Sequence, residues 1–132
     1  MAHEHYEKLI VWQRSIELVE VVYRLTRDFP ADEKSGLAAT LRRTVTGIPA
    51  KIAEADGLDD PEKVSQILSG IRGTIREMQT YAVLCRRLGF LPYLKYKGFR
   101  RRLHRIDRAL NAQIEQVTEP KRAPLLKPRL AA

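Results

Sequence analysis

Few residues in this chain could carry a covalent step. Of three histidines, His3 and His5 lie at the N-terminus and His104 stands alone in a basic stretch. Cys85 is the one cysteine, so neither a zinc spacing nor an internal disulfide is available. No Walker loop, calcium loop or G-x-S-x-G elbow occurs, and no cofactor is expected. Helical-bundle ribonucleases of the HEPN type pair an arginine with a histidine farther along the chain; Arg100, Arg101 and Arg102 stand too near His104 for that motif. What does form a pattern is a set of cations. At 100° per residue, Lys97, Arg101, His104, Arg105 and Arg108 fall opposite the apolar stripe centred on Leu103 and Leu110, with Arg100 and Arg102 flanking it. Cations held on one helix face can each neutralise a phosphate, giving salt-sensitive binding of RNA or DNA with little sequence preference. Tyr93 and Tyr96 are close enough to add base stacking, although the spacing of Tyr96 also suits the core. The bland alternative is a solvated helix face.

The charge distribution favours the same segment. The chain of 132 residues carries a net +8. Met1 to Cys85 holds eleven Lys/Arg and thirteen Asp/Glu, a net of −2, whereas Arg86 to Ala132 holds thirteen and three, a net of +10. A near-neutral body with a basic C-terminal third suits a polyanion, or an acidic protein partner. Lys121, Arg122, Lys127 and Arg129 extend the charge between Pro120, Pro124 and Pro128, so residues 120–132 read as a disordered or extended basic tail.

Four helices must position these residues. In the first, Leu9, Trp12, Ile16, Val19, Tyr23 and Thr26 recur at helical steps, beside a second stripe of Val11, Leu18, Val22 and Leu25; Pro30 ends it. The second begins near Ala31 or Asp32, carries Leu37, Leu41, Val45, Ile48, Ile52 and Ala55, and exits at Gly57. Asp60 as N-cap with Pro61 at the first helical position opens the third, which carries Val64, Ile67, Leu68, Ile71, Ile75, Met78, Ala82 and Cys85 and stops at Gly89. Leu91-Pro92 turns into the fourth, lined by Tyr96, Phe99, Leu103, Ile106, Leu110, Ile114 and Val117. No period-two alternation supports strands. Long helices on short loops predict an all-α, antiparallel up-down-up-down four-helix bundle over residues 1–119.

Pro49 inside the second helix predicts a kink near Gly47-Ile48-Pro49. Gly70 and Gly73 in the third predict close approach of another helix, since each would otherwise cost ~1 kcal/mol against alanine. The apolar stripes of helices one and three are wider than one bundle seam needs, which fits a deep core or an oligomer interface, and the second is the expectation. No apolar run reaches the ~18–20 residues that span a bilayer, and Met1 to Lys8 is too polar for a signal peptide. With a lone cysteine, this places the chain in the cytoplasm.

The stretch Tyr6 to Ser15 (YEKLIVWQRS) resembles the opening of the bacterial four-helix-bundle proteins encoded in intervening sequences of 23S rRNA genes. Leu25-Thr26 with Phe29-Pro30, Glu33 with Gly36-Leu37, and Leu41-Arg42-Arg43 match in order. So do Ile48-Pro49 with Ile52-Ala53-Glu54, Arg72-Gly73-Thr74 with Glu77, and Arg87-Leu88-Gly89. The resemblance implies a ring-like homopentamer. It also implies kinship with the accessory variability protein of diversity-generating retroelements, a similar bundle that binds a reverse transcriptase and nucleic acid. Gly47, Lys51 and Ala55 depart from the family pattern, which has serine, asparagine and glycine there, so nothing that asparagine does transfers to Lys51.

Arg42, Arg43, Glu54 and Glu77 match the family pattern. They read as structural or interface charges, a guanidinium paired with a carboxylate within or between subunits. An arginine facing a phosphate is the functional alternative; an acid–base carboxylate pair lacks a nucleophile or histidine at compatible spacing. The expectation is a non-catalytic, nucleic-acid-associated, homo-oligomeric scaffold. The rival is an adaptor for an acidic protein or a reverse transcriptase.

Overall fold

The computed structural model describes residues 4–118. The basic tail expected over 120–132, and His3, lie outside the described residues. The described chain is all-α, with four long helices and no strand: α1 (Ile10–Arg27), α2 (Leu37–Asp56), α3 (Pro61–Arg87) and α4 (Tyr93–Thr118). Short 3-10 turns at His5–Lys8 and Ala31–Glu33 precede α1 and α2.

Each boundary has a local chemical cause. The carboxylate of Asp60 accepts the Glu62 amide at 3.0 Å, and Pro61 opens α3 where no amide donor is needed. At the other end, Gly89 takes φ +83°, the Gly89 amide donates to the Arg86 carbonyl, and the Phe90 amide donates to that of Cys85 at 2.8 Å. That pair of bonds is a Schellman stop, which needs a residue without a Cβ penalty in the left-handed region. The start of α2 differs from expectation. Ala31 and Asp32 are spent on a 3-10 turn, and the helix begins at Leu37, whose amide donates to Glu33 Oε2 at 3.1 Å. Through Pro49, α2 runs unbroken.

The helices close into a cycle of neighbours: α1 packs on α2, α2 on α3, α3 on α4 and α4 on α1. Leu18, Leu41, Ile48, Ile52, Leu68, Ile71, Ile75, Met78, Leu103 and Leu110 fill the centre and are essentially inaccessible. Each such side chain contributes about 1.5–3 kcal/mol through burial. On α1 the core face is most of the second stripe, Val11, Leu18 and Val22, joined by buried Ser15 and by Thr26 from the first stripe, whereas Leu25 is only partly buried. The two hydroxyls fit because they are satisfied locally, Ser15 by the Trp12 carbonyl and Thr26 by the Val22 carbonyl, both at 2.7 Å. Trp12, Ile16 and Val19 are only partly covered and Tyr23 is exposed. Gly70 and Gly73 make no helix crossing within the single chain: both face outward, and among the described residues nothing lies within 4 Å of where a Cβ would stand on either.

Side chains tie the ends of the helices together. Phe29 after α1 meets Phe90 before α4 at 5.4 Å between ring centres, and Lys95 Nζ lies 3.6 Å from Asp28 Oδ2. At the opposite end of α1, His5 Nδ1 lies 2.9 Å from Oδ1 of Asp56, the last residue of α2.

Candidate nucleic-acid interface

α4 buries Phe99, Leu103, Ile106 and Leu110, spaced by three and four residues, and this fixes the rotation of the helix about its axis. Lys97, Arg101, His104, Arg105 and Arg108 are thereby turned to solvent. Arg101, Arg105 and Arg108 have no hydrogen-bond or ion-pair partner among the described residues. Lys97 Nζ lies 5.4 Å from the centre of the Tyr93 ring. Tyr93, Lys97, Arg101, His104 and Arg108, with Tyr96 and Arg100, line an open depression of about 530 Å³.

Arg100 stands apart from the other cations. It is half-buried, its Nη1 donates to Tyr96 Oη at 2.8 Å, and its Nε is enclosed without a partner among the described residues. This guanidinium braces Tyr96, which packs against the core. Its charge still reaches the surface, but its geometry is already committed.

One carboxylate of α4 stands among these cations, Asp107, and it is answered from α3. Arg72 Nε donates to Asp107 Oδ1 at 2.9 Å, Nη2 to Oδ2 at 3.0 Å, and Nη1 to Asn111 Oδ1 at 3.0 Å. The bidentate hydrogen bond holds the Asp107 carboxyl below its ordinary range, helped by the charges of Arg72, Arg76 and His104; the same bond raises the Arg72 guanidinium. Asp107 is therefore spent on Arg72, and the carboxylate left beside the α4 arginines is Glu17 of α1, which shares a small depression with Arg102 and Arg105.

Two further cations beside this face come from other helices, and the periodicity of α4 does not mark them. Arg14 of α1 lines a depression of about 330 Å³ with Ile10, Arg105, Arg108 and Ala109, and a smaller one with Glu17, Arg102 and Arg105. Arg86, near the end of α3, lies 5.4 Å from the Tyr93 ring centre. The position of Arg14, three residues after Val11 and four before Leu18, marks it as bordering the core stripe. Which helix it would border is decided only by the packing.

The four charges Arg42, Arg43, Glu54 and Glu77 are not brought together as ion pairs among the described residues. Arg42 donates from Nε to Thr26 Oγ1 at 2.8 Å and lies 4.4 Å from the Tyr23 ring centre, fastening α2 to α1. Glu77 accepts the Tyr81 hydroxyl at 2.7 Å, which raises the phenol above its ordinary range. Arg43 and Glu54 are exposed.

A separate cavity of about 190 Å³ at one end of the bundle is lined by Leu9, Ile52, Leu58, Val64, Leu68 and Val117, with Asp56 and Asp59 among its polar members. No group of three His, Cys, Asp or Glu is placed to hold a metal ion among the described residues. Cys85 is wholly buried, and burial, with the charge of Glu33, pushes its thiol up to about 11. No described helix is long and apolar enough to cross a membrane.

No curated protein matches the chain. The model of the 23S rRNA-intervening sequence protein family matches residues 7–112, most of the chain, and the protein therefore belongs to that family.

Proposed function

We propose that the protein is a non-catalytic scaffold that holds the phosphate backbone of RNA or DNA against α4, working as a homo-oligomeric ring in the cytoplasm. The observation that carries this reading is the row of unpaired cations. Arg101, Arg105 and Arg108 lack hydrogen-bond and ion-pair partners among the described residues, and Asp107, the acidic side chain of α4 amid them, is bound by Arg72. Unpaired guanidinium groups on one face repel each other, and a polyanion relieves that repulsion while releasing its own counterions. Lys97, Arg100 and His104 complete the α4 surface, and Arg14 widens it toward α1. The family's name links it to 23S rRNA genes, and RNA is accordingly the first ligand to try.

The helices alternate up and down in this reading. Contacts at the ends support it: the exit of α1 meets the entry of α4 through Phe29–Phe90 and Asp28–Lys95, while the turn before α1 meets the exit of α2 through His5–Asp56. Self-association is supported by apolar surface that the single chain leaves uncovered. Trp12, Ile16, Val19 and Tyr23 run along one side of α1, and Leu84 and Leu88 sit one turn apart at the end of α3. Resemblance to the family makes five the expected number of subunits. A ring would repeat the basic face in every subunit, so weak individual contacts would add by avidity.

Filter binding to RNA and DNA over a salt series tests the ligand, and sedimentation equilibrium tests the assembly. Binding that weakens steeply with salt supports the reading. Binding confined to an acidic protein, such as a reverse transcriptase, would overturn it in favour of an adaptor.

A further inference from the structure

We propose that the basic face selects single-stranded over duplex polynucleotide, with the ring of Tyr93 as the platform on which one base stacks; this rests on the backbone-binding reading above. Tyr93 is the first residue of α4, is 52% exposed, and shares the open depression with Lys97, Arg101, His104 and Arg108. A large aromatic ring left half in water at the end of a cationic surface is a binding element rather than a core element. Tyr96 differs: although it borders the same depression, its hydroxyl accepts from Arg100 and its ring is partly buried against the core, so it is less available for stacking.

The surroundings of Tyr93 suit a nucleotide in particular. Arg86 and Lys97, from two different helices, each place their charge 5.4 Å from the ring centre. Both are long, exposed side chains. They can swing from the ring to the phosphates on either side of a stacked base, so the cation–π contacts hold them ready in the free protein. Along α4 the row Tyr93, Lys97, Arg101, Arg105 advances four residues at a time, about 6 Å per step. That rise is similar to the advance of an extended strand per nucleotide, and the row drifts only ~40° around the helix at each step. An unpaired strand can therefore lay one base on the ring and successive phosphates on the cations. A duplex keeps its bases stacked inside and offers the ring nothing. Stacking of this kind accepts any base and either sugar.

The test is fluorescence anisotropy with labelled oligo(U), oligo(dT) and an RNA duplex of equal length, using the full chain and its Tyr93→Leu and Tyr93→Phe variants. Circular dichroism and sedimentation of each variant report fold and assembly. The proposal expects Tyr93→Leu to weaken binding of both single strands by about fivefold or more, the lower bound for losing one base stack, with duplex binding unchanged. Tyr93→Phe, which keeps the ring, should bind as the parent does. Loss of oligo(U) binding alone would overturn the claim that either sugar is accepted. Unchanged single-strand binding by Tyr93→Leu, or an equal loss for duplex, overturns the stacking role yet leaves backbone binding standing wherever salt still weakens it. An altered sedimentation profile with equal losses assigns Tyr93 to an interface and overturns the proposal. No salt-sensitive binding to any of the three probes overturns both this inference and the reading beneath it.

Discussion

Arg72 of α3 grips Asp107 of α4 with two parallel bonds, 2.9 Å and 3.0 Å long, and turns its third nitrogen to Asn111. The bond pins α3 to α4 at a point where both helices meet solvent, and it removes the one negative charge that stands within the arginine-rich stretch. Structure and function thus pull on the same residue pair.

The pair is about one-third and one-quarter exposed, so its net worth is that of a well-made surface bridge, ~0.5–1 kcal/mol. A double-mutant cycle with Arg72→Ala and Asp107→Ala, followed by urea unfolding at pH 7, should return a coupling of that size. Because folding lowers the Asp107 pKa, its contribution is fully present above the unfolded carboxylate value of about 3.9 and is lost as pH falls through the lower folded value. The coupling should therefore shrink toward zero in strong acid. A coupling of zero at pH 7 would show that the bridge has no energetic role.

Cys85 should be inert in the folded protein. It is inaccessible, and its thiol is raised to about 11, so little thiolate exists at pH 8 and none of it meets solvent. A disulfide reagent such as Ellman's should react only as fast as the chain opens, and rapidly in denaturant. Fast stoichiometric labelling of the native protein at pH 8 would contradict the packing of α3 described above.

Glycine substitutions should divide by sign. Gly89→Ala forces a side chain into φ +83° and should destabilise by ~1 kcal/mol. Gly70→Ala and Gly73→Ala lie in the interior of α3 with open space around them in the single chain, and each should stabilise the monomeric fold by about 0.5–1 kcal/mol. Thermal melts at dilute concentration measure all three. If the two α3 variants also weaken self-association, then the glycines serve a contact between copies, which is where the close helix approach expected from them would be found.

Most of the fold was legible because its signals are local. Asp60-Pro61 and Gly89 set the ends of α3 through caps that involve only neighbouring residues. The basic face of α4 was legible for a related reason, since a 100° step places Arg101, Arg105 and Arg108 opposite Leu103 whatever else the helix touches. What was not legible depended on partners distant in sequence. Arg72 and Asp107 are separated by 35 positions, and nothing in the sequence favours that match over a pairing of Arg42 or Arg43 with Glu54 or Glu77. The role of Arg42 turned on a threonine and a tyrosine ring rather than a carboxylate. On α1, periodicity offered two adjacent apolar stripes; the choice between them was made by α2 and α4, and it fell on the one completed by Ser15 and Thr26.

The most direct test of the central claim is filter binding of the full chain to RNA over a salt series, beside the triple variant Arg101→Glu, Arg105→Glu, Arg108→Glu. These side chains are exposed and unpaired among the described residues, so reversing them should leave helicity unchanged. For a single strand, each neutralised phosphate contributes about −0.7 to the slope of log K against log salt, and four or more contacts per subunit give about −3 or steeper. The account predicts such a slope for the parent protein and its near-complete loss in the triple variant. Salt-independent binding, or a triple variant that binds RNA as tightly as the parent, would contradict it.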